Sequence, residues 1–215
     1  MKFKINRDFF SSGLQLVTNV VGARKTMPIL QNVLLEAGED HVSLTTTNLD
    51  LGARCSVRAN VSEPGSVTLP VRELGNIIRQ LADMEVSVST GSEPKAKITT
   101  RGSIFNLMGM DSKEFPPLPT LEGQKDLKLS RQELKQMLKN VSYAQSVNEE
   151  RYMLKGVYFS LAEEELSLVA TDGRRLALTT KAHKGEDNAE GAFILPTSSL
   201  AELMKMPDLG ELVRI

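Results

Sequence analysis

Two stretches of the chain open alike, on a short alternating run of polar and apolar residues: Lys-Phe-Lys-Ile at 2–5 and Asp-Leu-Lys-Leu at 126–129. Each run passes directly into a helical pattern. Phe10, Leu14 and Val17 recur at i, i+4 and i+7, and Leu134, Leu138 and Val141 repeat that spacing, which is the period of an amphipathic helix. Asn6 stands where an N-cap belongs. Ser130-Arg131-Gln132-Glu133 reads as a capping box, in which the two outer side chains satisfy free helix-start amides. Alternating runs follow at 33–37, 41–47 and 53–59 and predict strands. After Ser-Val-Thr-Leu-Pro the spacing predicts a helix over 71–81, with Leu74, Ile77, Ile78 and Leu81 as its apolar face. Glu-Val-Ser-Val-Ser-Thr, Lys-Ala-Lys-Ile-Thr-Thr and Ser-Ile-Phe-Asn-Leu-Met-Gly then read as three further strands.

The likeness of the two stretches extends well past their openings. Sliding the chain by 124 positions aligns residues 2–54 with 126–178 without a gap, and 11 of the 53 pairs are identical. For average composition about three or four identities arise by chance, so the register marks an internal repeat. Arg7/Arg131, Leu14/Leu138, Leu30/Leu154, Val33/Val157 and Thr47/Thr171 are among them. A second block, offset by 126, pairs Leu69, Pro70 and Leu74 with Leu195, Pro196 and Leu200. Between the copies Phe-Pro-Pro-Leu-Pro-Thr-Leu-Glu-Gly-Gln at 115–124 reads as a linker.

Runs of strands broken by isolated helices argue for an α+β fold. The expectation is a repeated domain of antiparallel sheets, with two helices per domain packed on one face. The first domain is expected over 1–122 and the second over 123–215. The second copy ends short of its last two strands, so it reads as truncated.

Composition narrows the function classes. The chain carries 26 basic and 27 acidic residues in 215, a formal net charge of −1, which argues against retention on DNA or membrane by bulk charge. Cys55 is the sole cysteine and His41 and His183 the sole histidines, so no Cys/His metal cage forms. Apolar runs are short and the N-terminus carries Lys4, Arg7 and Asp8 within its first residues. A soluble, cytoplasmic protein without membrane contact is expected. Gly-rich phosphate cradles and paired catalytic carboxylates are missing from the sequence. No enzyme, cofactor or metal is therefore expected.

Charge nevertheless gathers locally. Arg131, Lys135 and Lys139 share one helix face, as do Arg72 and Arg79. The repeat supplies an internal control, because a residue that the fold requires recurs in both copies. Arg24, in the loop after the first helix, faces Asn148 in the second copy and is a candidate phosphate contact or a solvated loop arginine. Thr171-Asp172-Gly173-Arg174-Arg175-Leu176 carries a hairpin signal in its Asp-Gly, yet the first copy has Asn48, Leu49, Asp50 and Leu51 opposite residues 172–175. The arginine pair exceeds what a turn needs. With Leu154 and Leu176 it could frame a small apolar pocket with polar rims, suited to a short peptide.

The segments RYMLKGVYF and TDGRRLAL, with GARKTMPIL near the N-terminus and EFPPLP after the first domain, resemble the β subunit of bacterial DNA polymerase III. The resemblance runs along the entire chain. It implies a replicative sliding clamp: two chains closing head to tail into a ring around double-stranded DNA, with helices lining the hole. Family members have three such domains, of which the third is absent here. Carried over residue by residue, Arg24, Arg72 and Tyr152 match positions that touch DNA, and Asn148 stands where the family often has another polar residue. Met153 replaces a second tyrosine of some members. Leu154, Thr171, Gly173, Arg174, Arg175 and Leu176 match the second-domain half of a pocket for short peptides from polymerase, clamp loader and repair proteins. Arg174 replaces a histidine of some members. Phe105 and Leu107 match residues that meet the other chain of the homodimer. The other reading of the residues themselves is a two-domain peptide-binding scaffold that does not act on DNA.

Overall fold

The computed structural model describes residues 1–22, 27–119, 128–147, 152–162, 165–182, 191–205 and 212–214. The chain divides into two compact units, Met1–Pro119 and Thr120–Ile215. In the first, the order is β1 (Lys2–Asn6), α1 (Arg7–Thr18), β2 (Asn32–Ala37), β3 (His41–Thr47), β4 (Gly52–Glu63), β5 (Gly65–Pro70), α2 (Val71–Gln80), β6 (Glu85–Thr90), β7 (Lys95–Thr99) and β8 (Ile104–Met108). In the second it is β9 (Lys128–Ser130), α3 (Arg131–Ser142), β10 (Gly156–Leu161), β11 (Glu165–Thr171), β12 (Leu176–Ala182), β13 (Gly191–Pro196), α4 (Thr197–Lys205) and β14 (Leu212–Arg214).

The repeat is written into these boundaries. Strands β2, β3 and β4 begin at 32, 41 and 52, and β10, β11 and β12 begin 124 residues later at 156, 165 and 176. From β5 and α2 to β13 and α4 the shift is 126. Sheet order repeats too. The first unit has one eight-stranded sheet, β5-β2-β3-β4-β1-β6-β7-β8, and the second has β12-β11-β10-β13 with β14-β9. In the first unit one strand joins the two halves of the sheet. β4 is 12 residues long; its start pairs with β3 and its end with β1, through Val61 opposite Phe3 and Ala59 opposite Ile5. The counterparts of that far end, 183–187, lie outside the described residues. All strand pairs are antiparallel.

The eight-stranded sheet curls until its ends touch. Thr68 of β5 bridges Met110, just past β8. The Met110 amide donates to the Thr68 carbonyl at 3.1 Å, and the Thr68 hydroxyl donates to the Met110 carbonyl at 2.9 Å. The amide nitrogen of the Asn32 side chain donates to the same Thr68 hydroxyl at 3.1 Å. Both Thr68 and Asn32 are buried, so this bonding is what makes them tolerable there.

Inside the curl, Phe3, Phe10, Leu14, Leu44, Leu74 and Ile78 belong to one core. Phe3 and Phe10 meet edge to face with centroids 6.3 Å apart, a favoured aromatic geometry. Helix α1 rides close on the sheet at Gly13, where an added Cβ would stand 2.7 Å from Val57 and 2.8 Å from Leu44. The second unit has its own core, including Leu134, Leu138, Val157, Phe159 and Leu168. Phe159 stacks on Phe193 at 4.8 Å.

Helix caps behave differently in the two copies. The Asn6 side chain accepts from the amides of Asp8 and Phe9 at 2.9 and 3.3 Å, as expected. The Ser130–Glu133 capping box does not form: the Ser130 side chain makes no capping bond. Glu133 reaches instead to Lys181 on β12, so a cross-element ion pair takes the carboxylate that the box requires. Helix α2 stops at Gln80, one residue before the expected end, because Leu81 is extended.

Candidate functional site

The first unit presents a helical face. α1 and α2 pack side by side and leave a groove of about 450 Å³ lined by Ser11, Gln15, Thr18, Arg72, Asn76 and Arg79 among others. Arg72 sits in the first turn of α2 and is exposed. Arg79 is held in place by Asn76 at 2.6 Å and by the Gly75 carbonyl at 3.2 Å. Arg24 and Asn148 lie outside the described residues, and of Tyr152 the structure describes the backbone alone, in the 3-10 turn Tyr152–Leu154. Arg7, which recurs as Arg131, has a fold role. Its guanidinium donates to the Leu81 carbonyl at 2.7 Å and ties the start of α1 to the end of α2. This recurring arginine thus has a packing role in the first unit. Arg131 and Lys135 are also engaged.

The two halves of the repeat build one turn from different residues. In the second unit the Asp172 carboxylate accepts from the amides of Arg174 and Arg175 at 2.9 and 3.0 Å. The Thr171 hydroxyl donates to the Arg175 carbonyl at 2.7 Å and accepts from the Gly173 amide at 3.1 Å. In the first unit Asn48 accepts from the amides of Asp50 and Leu51 at 3.0 and 2.8 Å. Thr47 donates to the Leu51 carbonyl at 3.1 Å and accepts from the Leu49 amide at 3.0 Å. Bond for bond, these are the same. Thr171, Asp172 and Gly173 are thereby accounted for by the turn, and Arg174 and Arg175 are left over, replacing Asp50 and Leu51.

Arg175 is oriented and Arg174 is not. The Nε of Arg175 donates to Asp172 at 3.1 Å, and its guanidinium lies over the Tyr143 ring at 5.7 Å, a cation–π distance. The amides of Arg174 and Arg175 hold the Asp172 carboxyl below its ordinary value. For Arg174 no ion-pair partner is found among the described residues, and it is exposed. Tyr143, the residue that ends α3, was not singled out by the sequence. The repeat pairs it with Asn19, a polar-to-aromatic exchange that marks it once the register is known.

Around this turn lies exposed apolar surface. Leu176 is 64% exposed and Leu178 58%. The register Tyr158 opposite Val169, carried on two residues, sets Gly156 level with Thr171. The half-buried Leu154 thus lies at the same end of the sheet as the turn. Further along, Ile194, Tyr158, Val169 and Leu178 form one cross-strand row over four strands. The corresponding row in the first unit is Thr68, Leu34, Thr45 and Arg54, and Arg54 is bonded to Thr45 and Glu36 at 3.2 and 2.6 Å.

At the other end of the first unit, Phe105 is 36% exposed on β8, with Ile104 and Met108 each 61%. Leu107 is 7% exposed and belongs to the core. Phe105 and Leu107, two residues apart, lie on one face of the strand, and Leu107 is the more deeply covered of the two. The lone thiol, Cys55, is pushed up by burial. His41 hydrogen-bonds Asp40 at 2.9 Å and holds that carboxyl below its usual range. No helix among the described residues is long and apolar enough to cross a membrane.

Comparison with known proteins sets these features in a family. Residues 1–119 match the model of the DNA polymerase III beta subunit N-terminal domain, and residues 128–215 that of its central domain. The chain is 35% identical over 206 residues to the beta sliding clamp of Chlamydia muridarum, covering 96% of this chain and 56% of that protein. Against the beta sliding clamp of Synechocystis sp. the figures are 36% over 210 residues, 94% and 54%. Among solved structures, the DNA polymerase sliding clamp of Bacillus subtilis superposes with a TM-score of 0.93 at 29% identity, over 100% of this chain and 59% of that one. That of Caulobacter crescentus gives 0.91 at 34%, over 100% and 60%. The chain thus spans between half and three-fifths of the length of these relatives.

Proposed function

The chain belongs to the DNA polymerase III beta subunit family, and on that premise we propose that it serves as part of a non-catalytic sliding clamp in the bacterial cytoplasm. The clamp encircles duplex DNA as a homodimeric ring and tethers polymerase, clamp loader and repair proteins through short peptides. The observation that carries the peptide half of this reading is the repeated turn. One bonding scheme serves both units, and only the second adds an arginine pair beside uncovered leucines. Leu154, Thr171, Gly173, Arg174, Arg175 and Leu176 form the peptide site, with Tyr143 holding Arg175 from below.

The DNA half rests on the helical face. Arg72, with Arg24, Asn148 and Tyr152 by family correspondence, makes the direct contacts. Few phosphates are neutralised by so few cations, so direct binding is weak and its salt dependence shallow. Retention comes from topology, and polymerase is held near its template at high effective concentration. β8 presents Ile104, Phe105 and Met108 to the second chain. After loading by its clamp loader, the protein is expected to co-elute with closed circular DNA on gel filtration. It is expected to leave when a restriction enzyme linearises the circle. Equal retention on both forms would contradict the ring.

A further inference from the structure

Helix α2 holds a glycine that its packing does not require. A Cβ added at Gly75 would meet nothing within 4 Å, whereas one at Gly13 of α1 would strike Val57 and Leu44. Glycine inside a helix is less stable than alanine, so the open space at Gly75 is kept against the helix's own preference. Arg72, Gly75, Asn76 and Arg79 follow the i, i+3, i+4, i+7 spacing and share one face. That face is one wall of the groove whose other wall carries Ser11, Gln15 and Thr18 of α1, and no carboxylate is among the lining residues. The Arg79 side chain lies back over the preceding turn, held by the Gly75 carbonyl and by Asn76. Arg72 stands one turn before Gly75, so the two arginines bracket the space that the glycine leaves. Neither forms an ion pair among the described residues.

The second copy shows that the fold does not ask for this arrangement. In the repeat register Arg72, Gly75, Asn76 and Arg79 correspond to Ser198, Ala201, Glu202 and Lys205 of α4. One i, i+3 bond forms in both helices: Arg79 to Asn76 at 2.6 Å and Lys205 to Glu202 at 2.8 Å. Only the charge of the acceptor differs. Asn76 orients its cation and leaves the charge standing, whereas Glu202 cancels it. On the other helix, Lys135 and Lys139 replace Ser11 and Gln15, so the second copy carries its basic pair on α3. We propose that the α1–α2 groove of the first unit is a seat for the phosphates of a nucleic-acid backbone. Arg72 and Arg79 donate to phosphate oxygens, for which the planar guanidinium fork is suited. Asn76 positions Arg79 without neutralising it, and Gly75 keeps the floor open so that the sugar–phosphate chain can approach the helix. The inference rests on the DNA half of the reading above, and it adds to Arg72 three residues that the family resemblance does not supply. Contacts of this kind fix a backbone without reading its bases.

A fluorescein-labelled DNA duplex is titrated with the 215-residue chain at several low salt concentrations, and binding is read by anisotropy. Two variants copy the second unit. Asn76→Glu is expected to weaken binding by about fivefold or more and to reduce the salt slope by about one. Gly75→Ala is expected to weaken binding by about threefold or more while raising the thermal midpoint, an opposition that a merely structural role would not produce. Asn60→Glu, on strand β4, adds the same charge away from the groove and is expected to bind within about twofold of the parent. Asn76→Glu and Gly75→Ala both within twofold of the parent, or a loss in Asn60→Glu equal to that in Asn76→Glu, overturn the seat and leave the ring reading standing. Inorganic phosphate is expected to displace the duplex no better than chloride at equal ionic strength; specific displacement by phosphate would make this a site for the free anion and overturn the backbone assignment. A parent chain that binds no duplex even at the lowest salt overturns both the seat and the direct DNA contacts.

Discussion

Leu49 and Gly173 occupy one place in two copies of one turn, with φ of +77° and +84°. Glycine adopts that conformation freely, whereas leucine pays for its Cβ there. Leu49→Gly is therefore expected to stabilise the first unit by up to about 1 kcal/mol, the strain relieved less the extra freedom of the unfolded glycine. Gly173→Leu is expected to cost the second unit about 1–2 kcal/mol without abolishing its fold. Urea denaturation of both variants checks the pair, and equal signs would refute the shared geometry.

The two helix starts give an opposed pair of a different kind. Asn6 caps α1 through two amides, so Asn6→Ala is expected to cost about 1 kcal/mol. Ser130 makes no such bond, and Ser130→Ala is expected to change stability by less than about 0.5 kcal/mol. Thermal melts of the two variants decide it.

Acid is expected to loosen the turn at Asp172. Its carboxyl lies below the ordinary value of 3.8 in the folded state because the amides of Arg174 and Arg175 favour the anion. The stabilisation is thus fully present above the unfolded value and is lost as pH falls through the lower folded one. Asp172→Asn, which copies Asn48 of the first unit, keeps the amide bonds and removes this titration. Its denaturation midpoint should depend less steeply on pH below about pH 4 than that of the parent. An unchanged slope would remove Asp172 as the cause.

Neighbours on β8 should separate core from interface. Leu107→Ala is expected to cost about 2–5 kcal/mol, as truncation of a buried leucine does. Phe105→Asp should leave stability nearly unchanged and reduce self-association. Sedimentation velocity alongside denaturation distinguishes the two, and a Phe105 variant that unfolds would place that side chain in the core as well.

Much of this molecule is legible in its sequence because it is written twice. The spacing of Leu14 and Leu138, or of Pro70 and Pro196, carries helix and strand positions across both units almost without error, and the same register isolates Arg174 and Arg175. What escapes it is side-chain partnership at long range. Ser130 and Glu133 have the right spacing for a capping box, yet Lys181, nearly fifty residues away, takes the carboxylate. Leu107 and Phe105 are both apolar and share one strand face, so their spacing gives no sign that one is buried and the other partly exposed. Leu49 violates the turn preference that Gly173 obeys, so local propensity gives no hint that the turns match. Tyr143 looks like one more exposed aromatic until Arg175 is placed above it.

The bond between Thr68 and Met110 has a consequence for assembly. It ties Thr68, within β5 at one rim of the first unit's sheet, to the chain itself, with Ser66 and Ser112 hydroxyls joined at 2.8 Å alongside. β8, the last strand at the other end of the order, is the rim that remains along most of its length. A strand added by a neighbour is therefore expected to pair along β8 rather than along β5, whose Thr68 already bonds within the molecule.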